Sequence, residues 1–365
     1  MSNGSNSAAS LMQRIGLDLP LIQAPMAGVS TPALAAAVSN AGALGFLGIG
    51  AMQARQAGEA IDATRALTRA PFGVNVFCHA PGHRDAAAEA AWLKYLGPEF
   101  ERLGATPPDT LREIYPSFLH DSAMQELMLR QRPAVVSFHF GLPDASYISA
   151  LRERGVMTFA TATNLDEAAR VRAAGMDAIV AQGIEAGGHR GIFNADGADE
   201  GLSTLTLVRT LVRQQPLPVI AAGGIMDGAG IAAALALGAQ AAQLGTAFVT
   251  ADESAADAAY RQALLGDQPA RTTLTRAISG RPARGVSNRL AALGQAAGAP
   301  RIPDYPVAYD AAKALHAAAR GRGDQGYAAH WAGQGAALAR AMPAARLVQL
   351  LAKELAAARS AFPGA

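Results

Sequence analysis

His189 lies in the stretch DAIVAQGIEAGGHRG, Asp177 to Gly191, with Gly187, Gly188 and Gly191 around it and no periodic apolar pattern to claim it. A free imidazole titrates at a pKa of about 6.5 and can take or give a proton near neutrality, which makes His189 the candidate acid or base. The glycines let a ligand approach the backbone closely. His139, at the end of another apolar run, is a second pocket candidate, although a packing role suits it equally. Asn75 and Gln182 also close apolar runs, and each amide can offer a donor and an acceptor to the edge of a heteroaromatic ring. Gly223-Gly224 and Gln243-Leu244-Gly245-Thr246 put backbone amides and a hydroxyl where barrels commonly hold a phosphate. Tyr305, Tyr309 and Lys313 are spaced four apart, so one helix face would carry two phenols and an ammonium, a row suited to an anionic substrate. Tyr115 could meet the same pocket from the other side. His79 and His83 have no Cys or carboxylate cluster with them, so no metal site is expected.

Elements that could gather these residues follow from the apolar pattern. Runs at Leu21 to Pro25, Ala43 to Gly50, Phe72 to Phe77, Ala134 to Gly141, Val156 to Ala162, Asp177 to Gly183, Pro218 to Gly224 and Ala241 to Phe248 read as eight buried strands. Helical stretches alternate with them, at Pro32 to Asn40, Gln53 to Arg69 and Asp144 to Glu153, with a further one opened by Asn164 as N-cap and Glu167 three residues on. Near-continuous apolar strands each followed by a helix predict a parallel (β/α)8 TIM barrel, with its chemistry at the C-terminal strand ends. A doubly wound open sheet is the alternative, but no G-x-G-x-x-G follows the first strand.

The barrel is expected over 11–268, interrupted by an excursion at 79–120 that contains AAAEAAWLKYL. The basic, irregular stretch from Arg271 to Arg289 opens a smaller lid at 269–325, with a helix from Tyr305 to Ala319. Closing helices then fill 326–365, chiefly Ala336 to Arg359.

The net charge of +2 and the scattered Lys and Arg argue against nucleic acid as a partner. The single cysteine, Cys78, cannot make an internal disulfide, and the lack of a catalytic cysteine near the strand ends, Cys78 being the only one in the chain, argues against purine-nucleotide dehydrogenases that use a thiol nucleophile. MSNGSNSAAS lacks a basic and an apolar leader region, and no run reaches membrane-span length, so a cytoplasmic protein with no membrane association and no protein partner is expected.

Together the segments QAPMAG at Gln23, FGVNVF at Phe72, EAGGHRG at Glu185, PVIAAGGI at Pro218, AAQLGTAF at Ala241 and YPVAYDAAK at Tyr305 resemble the bacterial nitronate monooxygenases. Tyr305, Tyr309, Lys313 and WAGQG at Trp331 narrow the resemblance to the class with tyrosines and a lysine in the lid. The resemblance implies FMN in the barrel, with Ala24, Pro25 and Met26 against the ring and Asn75 and Gln182 on its polar edges. Gly187, Gly223, Gly224 and Gln243, Leu244, Gly245 and Thr246 would then surround ribityl and phosphate. His189 falls on the catalytic histidine, with His139, Tyr115, Tyr305, Tyr309 and Lys313 around the substrate. The implied reaction oxidises an alkyl nitronate such as propionate 3-nitronate with O2 to a carbonyl compound and nitrite, in detoxification. An NAD(P)H-dependent FMN reductase of the same fold (a quinone or enoyl-acyl-carrier-protein reductase) and a non-catalytic barrel binding a phosphorylated ligand remain the alternatives.

Overall fold

The computed structural model describes residues 10–266 and 270–361. The expected border between barrel and lid, at 268/269, and the end of the expected closing segment, 362–365, lie outside the described residues.

Eight of the strands form one parallel sheet. They are β1 (Leu21–Gln23), β2 (Gly45–Gly48), β3 (Phe72–Phe77), β4 (Val135–His139), β5 (Met157–Ala162), β6 (Ala178–Gln182), β8 (Val219–Ala222) and β9 (Ala241–Leu244), while β7 (Gly188–His189) stands apart. Their order is β1-β9-β8-β6-β5-β4-β3-β2. A parallel bridge from Ile22 to Leu44 joins the two edges, and Gln23 adds a side-chain bond, its Oε1 accepting from the Phe46 N–H at 2.9 Å. The sheet is thereby closed into the (β/α)8 barrel that the alternation predicts.

Both faces of each strand are buried, which is why the runs read as continuously apolar. Phe46, Val135, Phe159, Val180 and Ile220 fill one core, whereas their neighbours Leu47, Val136, Ala160, Ile179 and Ala221 pack with the surrounding helices. Successive side chains along a strand point to opposite faces, so the two cores divide each run between them.

Asn164 caps the helix Leu165–Ala173 through the Glu167 N–H at 2.9 Å, as its type predicts. The Glu167 carboxylate does not complete a capping box. It accepts from Thr163 N and Oγ1 and from Phe193 N, tying β5 to the loop beyond His189.

A third hydrophobic core sits over the barrel. Trp92, Leu96 and Phe100 from the helix Ala86–Arg102 join Leu111, Ile278, Leu290, Leu315 and Tyr327 in it. The excursion after β3 and the segment after residue 270 therefore share one interior. A three-stranded sheet edges this upper region: β10 (Thr272–Thr275) pairs antiparallel with β11 (Ala283–Val286), which pairs with β7. The glycine-rich stretch read as a loop is thus partly strand, with His189 opposite Ala283.

The helix expected from Tyr305 spans Val307–Arg320, with Pro306 at its N-cap. Tyr305 therefore precedes the helix, and only Tyr309 and Lys313 share its face. In place of the closing stretch from Ala336, a 3-10 turn at Gln334–Leu338 is followed by the helix Ala344–Ala361, packed on Pro32–Asn40 and Gly228–Ala236. Among the described residues no helix is long and apolar enough to cross a membrane, and no three His, Cys, Asp or Glu side chains are grouped to hold a metal.

Candidate active site

A cavity of about 660 Å³ lies between the C-terminal strand ends and the core over the barrel. It gathers every candidate residue singled out above except Leu244. Leu244 turns its side chain into the barrel–helix core, and its carbonyl accepts from Ala24 N at 2.8 Å, so it shapes the site through backbone alone.

Ala24, Pro25 and Met26 form one apolar wall. They can lie there because β2 ends in Gly48, where a Cβ would fall 2.6 Å from Ala27 N and 2.7 Å from the Met26 carbonyl carbon. At one end of the cavity the turns after β8 and β9 bring in Gly223, Gly224, Gly245 and Thr246, with Gly223 at φ 129° and Gly224 at φ 69°. Gly187 and the strap around Gly333 close that end, and Gly333 N donates to Thr246 Oγ1 at 3.0 Å.

Asn75 and Gln182 each offer the cavity less than a free amide does. Asn75 Nδ2 donates to the Ser137 carbonyl at 3.1 Å and to Ser137 Oγ at 2.8 Å, which leaves the acceptor Oδ1 for a ligand. Gln182 Oε1 accepts from Gly191 N at 2.8 Å and Arg190 Nη1 at 3.2 Å, and one Nε2 hydrogen goes to the His189 carbonyl at 2.9 Å. What remains is a single donor. The backbone partners fix both amide orientations, so the expectation of a donor and an acceptor from each side chain is corrected to one of each between the two.

His189 sits in an aromatic cage: ring centroids lie 5.1 Å away at Trp331, 5.5 Å at Tyr305, 5.6 Å at Phe140 and 6.0 Å at Tyr309. Its Nε2 is shielded and has no hydrogen-bond partner in the protein. Burial first, then His139 and the Arg281 guanidinium, push its pKa down to about 3. The side chain is therefore neutral at pH 7 and does not titrate near neutrality as a free imidazole would. His139 is likewise held neutral, mainly by burial, with a pKa of about 4.

On the far side, Tyr305 and Tyr309 are buried beside Tyr115, whose ring meets Tyr309 edge-on at 5.7 Å. Burial holds both buried phenols protonated, with Tyr309 raised above the usual phenol range. Lys313 Nζ lies 4.6 Å from the Tyr115 ring centroid, a cation–π contact, and is the one Lys or Arg among the lining residues.

Sequence reasoning missed several participants. Ser137 and Thr161 support Asn75 and His139, and both occupy inward positions that strand alternation marks. Arg281, buried with its guanidinium carbon 4.2 Å from the Phe140 ring centroid, carried no signal beyond the basic character of its stretch. Tyr260, His316 and His330 also line the cavity.

Fold and site together define a (β/α)8-barrel enzyme working at the carboxyl ends of its strands. The chain matches the nitronate monooxygenase family model over residues 9–354, and it belongs to that family. It is an oxidoreductase. A nitronate monooxygenase from Paraburkholderia phytofirmans is 61% identical over 345 residues, covering 94% of each chain. One from Pseudomonas aeruginosa is 56% identical, covering 93% of this chain and 97% of that one. Among solved structures, a nitroalkane oxidase from Streptomyces ansochromogenes superposes with a TM-score of 0.88 at 44% identity, covering 97% of this chain and 99% of its own. FabK from Thermotoga maritima gives a TM-score of 0.74 at 29% identity, covering 98% and 99%.

Proposed function

We propose that the chain oxidises alkyl nitronates, with propionate 3-nitronate as the leading substrate, using bound FMN and O2 to give a carbonyl compound and nitrite in a detoxifying role. The observation that carries this reading is the joint lining of one cavity: a glycine-built end, a donor and an acceptor held on rigid strands, a neutral histidine and a cation at the far side. Relatives named nitronate monooxygenase over nearly the full chain length support it.

The residues present fit FMN. Asn75 Oδ1 and the remaining Gln182 Nε2 hydrogen would meet complementary atoms of the ring edge, and Ala24, Pro25 and Met26 would lie against its face. Gly187, Gly223, Gly224, Gly245 and Thr246 would surround ribityl and phosphate, with backbone amides replacing the cations that this end lacks. FMN held there supplies the one-electron oxidation of the nitronate.

The protein's own part is to bind, orient and exclude water. Neutral His189 meets the nitronate by hydrogen bonding and not by charge. Lys313 faces the carboxylate of propionate 3-nitronate, and the cage of Tyr305, Tyr309 and Trp331 keeps solvent from the reacting atoms.

A reductase reading draws on the likeness to FabK, and one experiment separates the two. Purified protein should show a flavin absorbance spectrum and release nitrite from propionate 3-nitronate in air, while NADH added anaerobically leaves the flavin oxidised. Rapid bleaching by NADH with no nitrite release would overturn the monooxygenase reading.

A further inference from the structure

Both ring nitrogens of His139 are committed to the protein. Nε2 lies 3.2 Å from the His189 carbonyl and Nδ1 lies 2.9 Å from Thr161 Oγ1. A carbonyl can only accept, so Nε2 carries the proton and Nδ1 accepts from the Thr161 hydroxyl. Burial keeps the ring neutral, which preserves that tautomer.

The carbonyl that His139 holds also accepts from Gln182 Nε2 at 2.9 Å, so two side-chain donors converge on one backbone oxygen of the His189 loop. Two residues on, the loop lies directly against the same pair. A Cβ at Gly191 would fall 2.4 Å from Thr161 Cγ2 and 2.9 Å from His139 Cε1, closer than any side chain permits.

The next residue holds the imidazole itself. Phe140 is a buried aromatic at φ 75°, a left-handed conformation rare for bulky L residues and persistent only where the surroundings over-determine it. That turn sets the Phe140 ring edge-on to His189, with centroids 5.6 Å apart at 86°, and 5.4 Å from Tyr305. The Arg281 guanidinium carbon lies 4.2 Å from the same ring centroid.

We infer that His139 and Phe140 at the end of β4 form a clamp that positions His189, with His139 fixing the loop backbone and Phe140 the imidazole plane. His139 is then a positioning residue and makes no bond to substrate, although it lines the cavity. The inference rests on the reading of His189 as the side chain that meets the nitronate.

Three variants test it. His139→Gln keeps a donor within reach of the His189 carbonyl, His139→Leu removes it, and Thr161→Val removes the hydroxyl while keeping the methyl that touches Gly191. Each is measured for kcat and KM with propionate 3-nitronate, and for amide hydrogen exchange over residues 183–192. His139→Leu should lower kcat about 100-fold, the scale of an ångström's misplacement, with KM changed less than about threefold. Exchange in that segment should quicken about tenfold or more, since it reports local opening. His139→Gln should restore most of both losses, and Thr161→Val should fall between.

A raised KM with kcat preserved would make His139 a substrate ligand and overturn the clamp. So would a loss of kcat with exchange unchanged in all three variants. If the parent protein releases no nitrite, the functional reading fails on its own, and the exchange comparison still decides the clamp. If His139→Leu does not fold, His139→Gln and Thr161→Val carry the same test.

Discussion

A side chain's type fixes what it can do in principle, and its neighbours decide how much of that is left for a ligand. Asn75 and Gln182 each start with a donor and an acceptor, yet Ser137 and the His189 loop leave an acceptor on one and a donor on the other. Lys313 is the converse case. It is exposed, lines the cavity, and holds its ammonium over the Tyr115 ring with no carboxylate paired to it among the described residues. Lys313→Met keeps an unbranched side chain of similar reach and removes the ammonium, with its cation–π contact to Tyr115. Because the site is partly solvated, the lost attraction should be about 1 kcal/mol, seen as a KM for propionate 3-nitronate raised about fivefold. A neutral-tailed alkyl nitronate of similar length should change far less, and equal effects on the two substrates would show that Lys313 does not read the carboxylate. At this scale nearly every residue that the sequence offered for the site does line the cavity, because glycines and polar groups at the ends of apolar runs are conspicuous. It could not reveal their protonation or their committed hydrogen bonds. The neutrality of His189 rests first on burial and then on His139 and Arg281, which lie 50 and 92 positions away in the chain.

Elements were legible where local chemistry sets them. Strand alternation, Pro32 at the start of its helix and Asn164 as a cap all act within a few residues. The two-residue strand β7 was not legible, because its only reason for being a strand is β11, almost 100 residues later. Nor was Tyr305's place outside its helix, which Pro306 decides against the four-residue spacing. The strap at Ala332–Gly333 is a similar long-range contact, and Gly187 is what admits it. A Cβ at Gly187 would sit 2.5 Å from Gly333 N and 2.6 Å from the Ala332 carbonyl carbon, and backbone cannot step aside as a rotamer can. Gly187→Ala should therefore displace the strap, break the Gly333 N to Thr246 Oγ1 bond and destabilise the fold by about 1–3 kcal/mol. Flavin retained through gel filtration should drop with it. Gly97→Ala is the control, since that helical position has nothing within 4 Å and alanine there should be neutral or stabilising. Equal flavin content in the two variants would mean that the strap does not support the cofactor end.

The cavity lies on a seam between the barrel and the core above it, and most of the described imidazoles gather along that seam. His79 is fully buried there, with neither ring nitrogen hydrogen-bonded and its ring edge-on to Tyr305 at 4.9 Å. Burial pushes its pKa down to about 4, while His139 lies at about 4 and His189 at about 3. Unfolded, each would titrate at about 6.5, so below that pH the unfolded chain binds protons that the folded chain refuses. Stability should thus be full above pH 6.5 and fall as the pH drops towards 4, which is the direction expected of depressed histidines. His79 alone accounts for about 3 kcal/mol across that window, a sizeable part of a typical total of about 5–15 kcal/mol. Carboxylates held low in the fold, such as Glu89 beside Arg84 and Asp199 beside Arg190, add to the loss in the same direction as the pH nears 4, so a single-histidine variant is needed to isolate one imidazole. Denaturant midpoints at pH 7.5 and 4.5 measure the effect, and His79→Leu separates one histidine from the rest. That variant keeps the position apolar and should reduce the loss between the two pH values by close to one proton's linkage. An unchanged loss would mean that His79 is reached by water, and that the seam is open on its side.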